Sequence, residues 1–205
     1  ELKLLILYED DYLAAILKPP GILVSGNSFK TIAKALPQNL VKSKQEDAVQ
    51  PQPVHRLDYA TTGILLIGKT AQSIRRLNLL FENKEILKTY YAVCIGSVAP
   101  KGTIQEPVNK KEAITRFVKV ATVESPRFKH LNLIKLKPET GRRHQLKIHL
   151  AGLGNPILGD RDYSPGPLLL KDKGMYLHAY SLVDDLPLTG HTLTWVSPFP
   201  KRFTK

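Results

Sequence analysis

Apolar and polar positions alternate in blocks along the first third of the chain. Leu4 to Leu7 and Leu13 to Leu17 are apolar runs separated by Glu9-Asp10-Asp11, and the second stops at Lys18-Pro19-Pro20-Gly21. Two short runs joined by an acidic turn and ended by a Pro-Gly break predict a β-hairpin. After Ile22-Leu23-Val24, residues 25–52 are mostly polar, with one short helical stretch from Thr31 to Leu36. Lys42-Ser43-Lys44-Gln45 within it reads as a mobile basic loop, and the segment has too little apolar surface to form a domain. Ile64 to Ile67 is a short apolar run that predicts a buried strand. From Ala71 to Asn83, Ile74, Leu77 and Phe81 recur at helical spacing with Arg75 and Arg76 on another face, which predicts an amphipathic helix with a basic exterior.

The rest of the chain turns to β-branched and aromatic runs. Residues 88–96, 113–123 and 131–136 read as three strands in succession, which argues for an antiparallel or mixed sheet. The polar connection Pro100 to Lys111 has no core pattern and reads as a loop. Leu146, Leu150 and Leu153 share one face of a helix expected to begin near Gly141 and to stop at Gly152 or Gly154. An extended loop through Asn155-Pro156 and Ser164-Pro165-Gly166-Pro167 follows. Two last strands, Met175 to Val183 and His191 to Val196, are joined by a turn through Pro187-Leu188-Thr189-Gly190. No repeat, low-complexity tract or domain-separating linker interrupts this order.

Charge narrows the choice of partner. Thirty Lys and Arg against eighteen Asp and Glu leave a formal charge of +12 on 205 residues. That excess implies an anionic partner, nucleic acid first and a membrane surface second. No apolar run approaches the roughly 20 residues that span a bilayer. The opening Leu2 to Leu7 meets Tyr8-Glu9-Asp10-Asp11 too soon for a signal peptide, so a cytoplasmic protein is expected. Cys94 is the single cysteine, which excludes an internal disulfide and a thiolate zinc cluster, and no pair among six histidines has H-E-x-x-H spacing. Cys94 is assigned to the core, and no metal site is expected.

Two dense stretches carry the candidate chemistry. The first, Pro53 to Thr70, sets Asp58 after His55, Arg56 and Leu57 and before Tyr59-Ala60-Thr61-Thr62-Gly63, at the entrance to the apolar run. His55 and Arg56 can keep a neighbouring carboxylate ionised and can face an anionic substrate. A loop aspartate is more often a turn cap, and from these residues alone that is the favoured reading. Gly63, Gly68, Lys69 and Thr70 match the phosphate-loop pattern letter for letter. The intervening Ile64-Leu65-Leu66-Ile67 wants a strand, whereas that motif needs a flexible loop following one. A chance match is expected, with a nucleotide hydrolase as a weak rival.

The second stretch is Thr140-Gly141-Arg142-Arg143-His144-Gln145-Leu146-Lys147-Ile148-His149-Leu150. A helix starting near Gly141 would present Arg142, Arg143 and His144 with free backbone N–H groups, a natural phosphate site. A solvated basic face explains the same run equally well. His144 and His149, five apart, suit neither a shared metal nor one helical face, and read as hydrogen-bonding or core residues.

Taken together, these pieces resemble the RluA-type pseudouridine synthases, which isomerise uridine in structured RNA. The resemblance rests on Leu17-Lys18-Pro19 with Gly21; His55-Arg56-Leu57-Asp58 followed by Thr61, Thr62 and Gly63; Lys88-x-Tyr90 with Ala92 and Gly96; Thr140-Gly141-Arg142 with His144-Gln145-Leu146-Lys147-x-His149-Leu150; Pro156-Ile157 with Gly159-Asp160; and His178-Ala179. It covers almost the whole chain. Departures touch details. Tyr59 stands where such enzymes usually have a basic residue, Ala60 where they have an acidic one, Thr62 where they have Ser, and Lys147 where they more often have Arg. Lysine keeps the charge and loses the two-pronged geometry.

The resemblance implies an α+β fold, a mixed but largely antiparallel sheet flanked by helices, with 1–205 forming one catalytic domain and no N-terminal RNA-binding module within it. It implies Asp58 as nucleophile, Lys147 as the cation paired with it, and Tyr90 as the residue that stacks on the base and assists proton loss from C5. Leu146 would pack on the base's other edge and Arg56 would fill the space that the extruded nucleotide vacates. Thr62, His55, Arg142, Arg143 and His144 complete the expected RNA-binding set. No cofactor is expected, because isomerisation has no net oxidation or hydrolysis. Structured ribosomal or transfer RNA is the expected partner of a monomeric enzyme. The rival readings are an RNA-binding protein that kept the fold without the chemistry, and the nucleotide hydrolase.

Overall fold

The computed structural model describes residues 2–170, 174–184 and 193–203. The expected turn at 187–190 and His191 lie outside them. The elements in chain order are β1 (Leu5–Glu9), β2 (Leu13–Lys18), α1 (Ile32–Asn39), β3 (Ala48–Pro53), β4 (Thr62–Thr70), α2 (Ala71–Glu82), β5 (Ile86–Ile95), β6 (Lys101–Ile104), β7 (Thr115–Ser125), β8 (Lys129–Pro138), α3 (Gln145–Gly152), β9 (Leu177–Asp184) and β10 (Thr194–Val196), with single 3-10 turns at Gly166–Leu168 and Lys201–Phe203. Strands come in runs of two or four separated by single helices rather than in regular β-α-β alternation, which makes the fold α+β. The chain forms two compact units, residues 1–87 with 181–197, and residues 88–180 with 198–205.

In the first unit the expected hairpin is β1–β2, with Leu5 opposite Leu17 and Glu9 opposite Ala14. Its turn is fixed by Asp10, whose Oδ1 accepts from the N–H groups of Tyr12 at 2.7 Å and Leu13 at 2.8 Å. This local bond is the usual reason for Asp in a turn. β2 runs antiparallel to β4, from Leu13 opposite Gly68 to Lys18 opposite Gly63. Every residue of β4 is buried, which is why it reads as a continuous apolar run rather than an alternating one. β3 also pairs antiparallel with β4. Its sequence, Ala-Val-Gln-Pro-Gln-Pro, carries two prolines and no strand pattern, and only the partner strand makes it a strand.

Two helices close this unit. α1 starts at Thr31, whose hydroxyl accepts from Lys34 N–H at 3.2 Å, and it buries Ile32, Ala35 and Leu36. α2 has a capping box in which Thr70 and Ser73 satisfy each other's backbone N–H, and it buries Leu77 and Leu80. The expected face is shifted by a residue at its end, since Leu80 is buried while Phe81 is half-buried. Lys44 in the expected mobile loop donates its N–H to Asp11 at 3.3 Å, and Ser43 beside it is buried.

The second unit holds an antiparallel sheet in the order β5-β8-β7-β6. β7 and β8 form a long hairpin with a bulge between Lys119 and Ala121. β6 lies inside the connection read as a loop from Pro100 to Lys111, a correction with a clear cause. Lys-Gly-Thr-Ile is too short and polar to show a period, and it becomes a strand by pairing with Thr115 to Val118. Cys94 is in the core as expected, and burial pushes its thiol up to about 12.

Candidate active site

In the first unit the site is a turn between β3 and β4. Thr61 N–H donates to the Asp58 carbonyl at 3.0 Å, closing a turn over Asp58-Tyr59-Ala60-Thr61. Leu57 just before it is buried and anchors the chain, Arg56 is exposed and Asp58 is half-buried. His55 Nε2 accepts from Leu66 N–H at 3.0 Å, so the ring is the Nδ1–H tautomer, and it stacks on Phe81 with centroids 4.5 Å apart. It thereby ties the Asp58 approach to β4 and α2. Thr62 is buried as the first residue of β4.

The residue that the sequence did not single out for chemistry is Lys18. Its side chain is fully buried at the end of β2. The ammonium donates to the carbonyls of Pro19 at 2.9 Å, Tyr59 at 3.1 Å and Thr61 at 2.9 Å, one for each of its N–H groups. Two of these carbonyls lie in the turn that carries Asp58. Gly21 N–H adds a further bond to Tyr59 O at 2.9 Å, with a positive φ of 76°. A side chain there would be strained, so glycine allows the Lys18–Gly21 segment to fold back against the turn. Burial pushes the Lys18 ammonium down to about 8, and the Asp58 carboxylate acts the other way. Leu17-Lys18-Pro19 contributed to the family resemblance, but nothing in a lone Lys-Pro pair says that its amine reaches a turn forty residues away. The Thr61 hydroxyl is buried without a hydrogen-bond partner among the described residues.

In the second unit, Lys147 sits in the first turn of α3, buried, with its ammonium 3.3 Å from Asp160 and hydrogen-bonded to Asp162. Burial alone would lower its pKa, but the bond to Asp162 and the charges of both carboxylates outweigh it, and the pKa is raised. Asp160 is buried and its pKa is raised by that burial. The mostly exposed Asp162 is depressed, chiefly by the Lys147 hydrogen bond. The Tyr163 ring lies 5.1 Å from the ammonium, and its hydroxyl is 2.9 Å from His144 Nδ1. Leu146, next to Lys147, is buried. Tyr90 is half-buried on β5, opposite Leu136 of β8.

The helix itself begins later than the sequence suggests. α3 starts at Gln145, and His144 before it is left-handed, with φ 57°. Arg142, Arg143 and His144 are therefore in the turn that precedes the helix rather than in its first turn, which removes the expected helix-terminal phosphate site. The cause is Gln145. Its Oε1 accepts from the Thr140 hydroxyl at 2.6 Å and Arg142 N–H at 3.1 Å, and its Nε2 donates to Ile114 O at 3.0 Å and Thr115 Oγ1 at 2.9 Å. Arg142 Nε donates to Glu112 O at 2.9 Å, and Arg143 is exposed. His149 is buried between Thr115 Oγ1 and Glu106 O, the hydrogen-bonding role expected of it. Leu153, expected on the apolar face, is 45% exposed because the helix has ended at Gly152.

The phosphate-loop match is a strand. Gly63 to Thr70 lie within β4, and pairing with β2 runs from Gly63 to Gly68. Lys69 is buried in an ion pair with Glu9 at 2.7 Å. Gly68 is required because a Cβ there would lie 2.4 Å from Ile74 of α2. The nucleotide-hydrolase reading is withdrawn. No cluster of His, Cys, Asp or Glu able to hold a metal is found among the described residues.

The RNA pseudouridylate synthase family model matches residues 12–152. The chain is 33% identical over 207 residues to the dual-specificity RNA pseudouridine synthase RluA of Haemophilus influenzae, covering 93% of this chain and 90% of that protein. It is 32% identical over 215 residues to ribosomal large subunit pseudouridine synthase C of Rickettsia prowazekii, covering 98% of this chain and 69% of that one. The structure of human RNA pseudouridylate synthase domain containing 4 superposes with a TM-score of 0.78 at 24% identity, over 98% of this chain and 90% of the other, a likeness of fold.

Proposed function

Because the chain belongs to the RNA pseudouridylate synthase family, we propose that it isomerises a specific uridine in ribosomal or transfer RNA, with Asp58 as the nucleophile. The observation that carries the reading is the Asp58 turn. A half-buried carboxylate sits on a backbone whose flanking carbonyls are gripped by the buried Lys18 ammonium. A preset turn fixes a nucleophile with little reorganisation at the moment of reaction. Asp58 adds through a carboxylate oxygen to C6 of the base or to C1′ of the ribose, the C1′–N1 bond breaks, and the base turns. On the C1′ route C5 displaces the carboxylate from C1′ as the C1′–C5 bond forms, and on the C6 route C5 bonds to C1′ and the carboxylate is then eliminated from C6; on either route C5 loses its proton and N1 takes one up. One bond has moved and one proton has been exchanged, so atoms and electrons balance within the nucleotide.

The other residues take roles that fit their chemistry. Tyr90 stacks on the base and assists departure of the C5 proton, and Leu146 bounds the base on another edge. Lys147 supplies fixed positive charge, with Asp160 and Asp162 holding its ammonium in place. Arg56 enters the space left by the extruded nucleotide, and Arg142 and Arg143 meet phosphates. The formal charge of +12 supports a polyanionic substrate.

Incubation of the purified chain with uridine-labelled RNA tests the reading. Release of the C5 hydrogen, together with a pseudouridine that is lost from cells lacking the gene, is the expected result. Tight RNA binding with no turnover on ribosomal or transfer RNA would leave only the RNA-binding reading.

A further inference from the structure

Among the described residues the most exposed large apolar side chain is Phe29, 89% exposed, and the chemistry above does not use it. Single exposed apolar side chains are common on protein surfaces, so exposure by itself carries nothing. The loop around Phe29 carries more. Its two ends are pinned: Ile22 and Val24 are buried, and the carbonyls of Leu23 and Val24 accept from the N–H groups of Ile32 and Ala33, each at 2.9 Å. The Lys34 ammonium donates to Ser28 O at 2.8 Å, immediately before Phe29. The ring is thus presented by a braced turn, which lowers the entropy lost when something binds it.

The surroundings of the ring select the partner. Ser25 to Lys30 are all exposed, and the neighbours of Phe29 in the loop are Ser25, Gly26, Asn27, Ser28 and Lys30, so within the loop the ring stands alone among polar residues. Between Asp11 and Glu46 the chain has no acidic residue, and of its five lysines Lys18 is buried while Lys30 and Lys34, close to Phe29 in sequence, are exposed. An isolated π-face among cations suits an unpaired nucleobase with its phosphates. The same segment begins at Gly21, bonded to the carbonyl of Tyr59, and Tyr59 is itself 58% exposed next to Asp58. The loop that carries Phe29 and the turn that carries Asp58 are therefore hydrogen-bonded neighbours within one unit.

We propose that Phe29 and Tyr59 are stacking platforms for unpaired bases of the RNA substrate, and that they make the protein prefer looped over fully paired RNA. This rests on the assignment of RNA as substrate, and it adds residues that contact nucleotides other than the one isomerised.

The test uses the full chain and two labelled probes, an RNA hairpin with a uridine loop and a fully paired duplex with the same stem, read by fluorescence anisotropy. Phe29→Ala and Phe29→Leu are expected to weaken hairpin binding by about tenfold and duplex binding by less than about twofold, as loss of one stacked base does. Phe29→Tyr retains affinity, Phe29→Trp shows emission quenched by the hairpin, and Tyr59→Ala behaves like Phe29→Ala. Hairpin binding unchanged in Phe29→Ala, an equal loss on both probes, or full affinity in Phe29→Leu overturns the proposal. The last outcome would assign the ring to plain apolar contact, as with a protein. Binding is read without turnover. A chain that isomerises no uridine but loses hairpin affinity on Phe29→Ala refutes the enzyme and keeps the platform, and the reverse result refutes the platform alone.

Discussion

The Lys18 ammonium lies 2.9 Å from the carbonyl oxygen of Thr61, forty-three positions away in sequence, and so ties the end of β2 to the turn that carries Asp58. The bond joins a buried charge to the backbone beside the proposed nucleophile. Removing it exposes the dependence. Lys18→Met removes the ammonium from three carbonyls, of which Tyr59 O keeps the Gly21 N–H, and loss of buried partners costs about 1–3 kcal/mol. Turnover is expected to fall at least about tenfold, with RNA affinity little changed, measured by single-turnover kinetics alongside binding.

Lys18 also fixes a pH dependence with two opposite signs. Its folded pKa of about 8 lies below the ordinary value of 10.5, so between these values the unfolded chain holds a proton that the folded chain has lost. Stability from this group therefore rises with pH across that window and is constant below it. Activity goes the other way, because a neutral amine has one donor fewer for its three carbonyls. Turnover is expected to decline above a pH of about 8, and that limb is expected to vanish in Lys18→Met; a limb unchanged in the variant contradicts the assignment.

The two carboxylates on Lys147 differ in exposure, and their variants should differ accordingly. Asp162 is mostly exposed, and Asp162→Asn is expected to cost under about 1 kcal/mol after screening. Its depressed pKa makes that contribution present above the ordinary carboxylate value of 3.8 and lost as the pH falls through the folded value. Asp160 is buried, and Asp160→Asn leaves the buried ammonium with one charged partner, the exposed Asp162, at about 3 kcal/mol. Urea unfolding near neutral and acid pH separates the two.

Tyr90→Phe keeps the ring and removes the hydroxyl. If the tyrosine assists proton loss from C5, RNA binding persists while C5 hydrogen release slows by about 100-fold or more. Equal rates in the two proteins would confine Tyr90 to packing.

The strand assignment of Gly63 to Thr70 is tested by nucleotide. Excess magnesium–ATP is expected to leave the melting temperature unchanged, since the Lys69 ammonium is already held by Glu9 and the Asp10 carbonyl. A clear stabilisation by ATP would reopen the hydrolase reading.

Elements with their own apolar period, β1, β2, β4, α2 and β5, were legible because burial imposes that period directly on the residues. β3 and β6 were not, since a polar or proline-containing strand is created by its partner and leaves no period of its own. The start of α3 was misplaced because the buried side chain of Gln145 holds the preceding turn, and a glutamine looks the same in a sequence whether solvated or buried. The motifs placed Asp58, Tyr90 and Lys147 as candidates, but the grip of Lys18 on the Asp58 turn and of Asp160 and Asp162 on Lys147 are long-range contacts that spacing does not encode.

The most direct measurement follows release of the C5 hydrogen from uridine-labelled RNA by the parent chain and by Asp58→Asn, at matched RNA occupancy. The amide keeps the shape and cannot act as a carboxylate nucleophile. The account predicts one hydrogen released per pseudouridine formed by the parent and none by the variant, with binding retained. Turnover by Asp58→Asn at the parent's rate would contradict it.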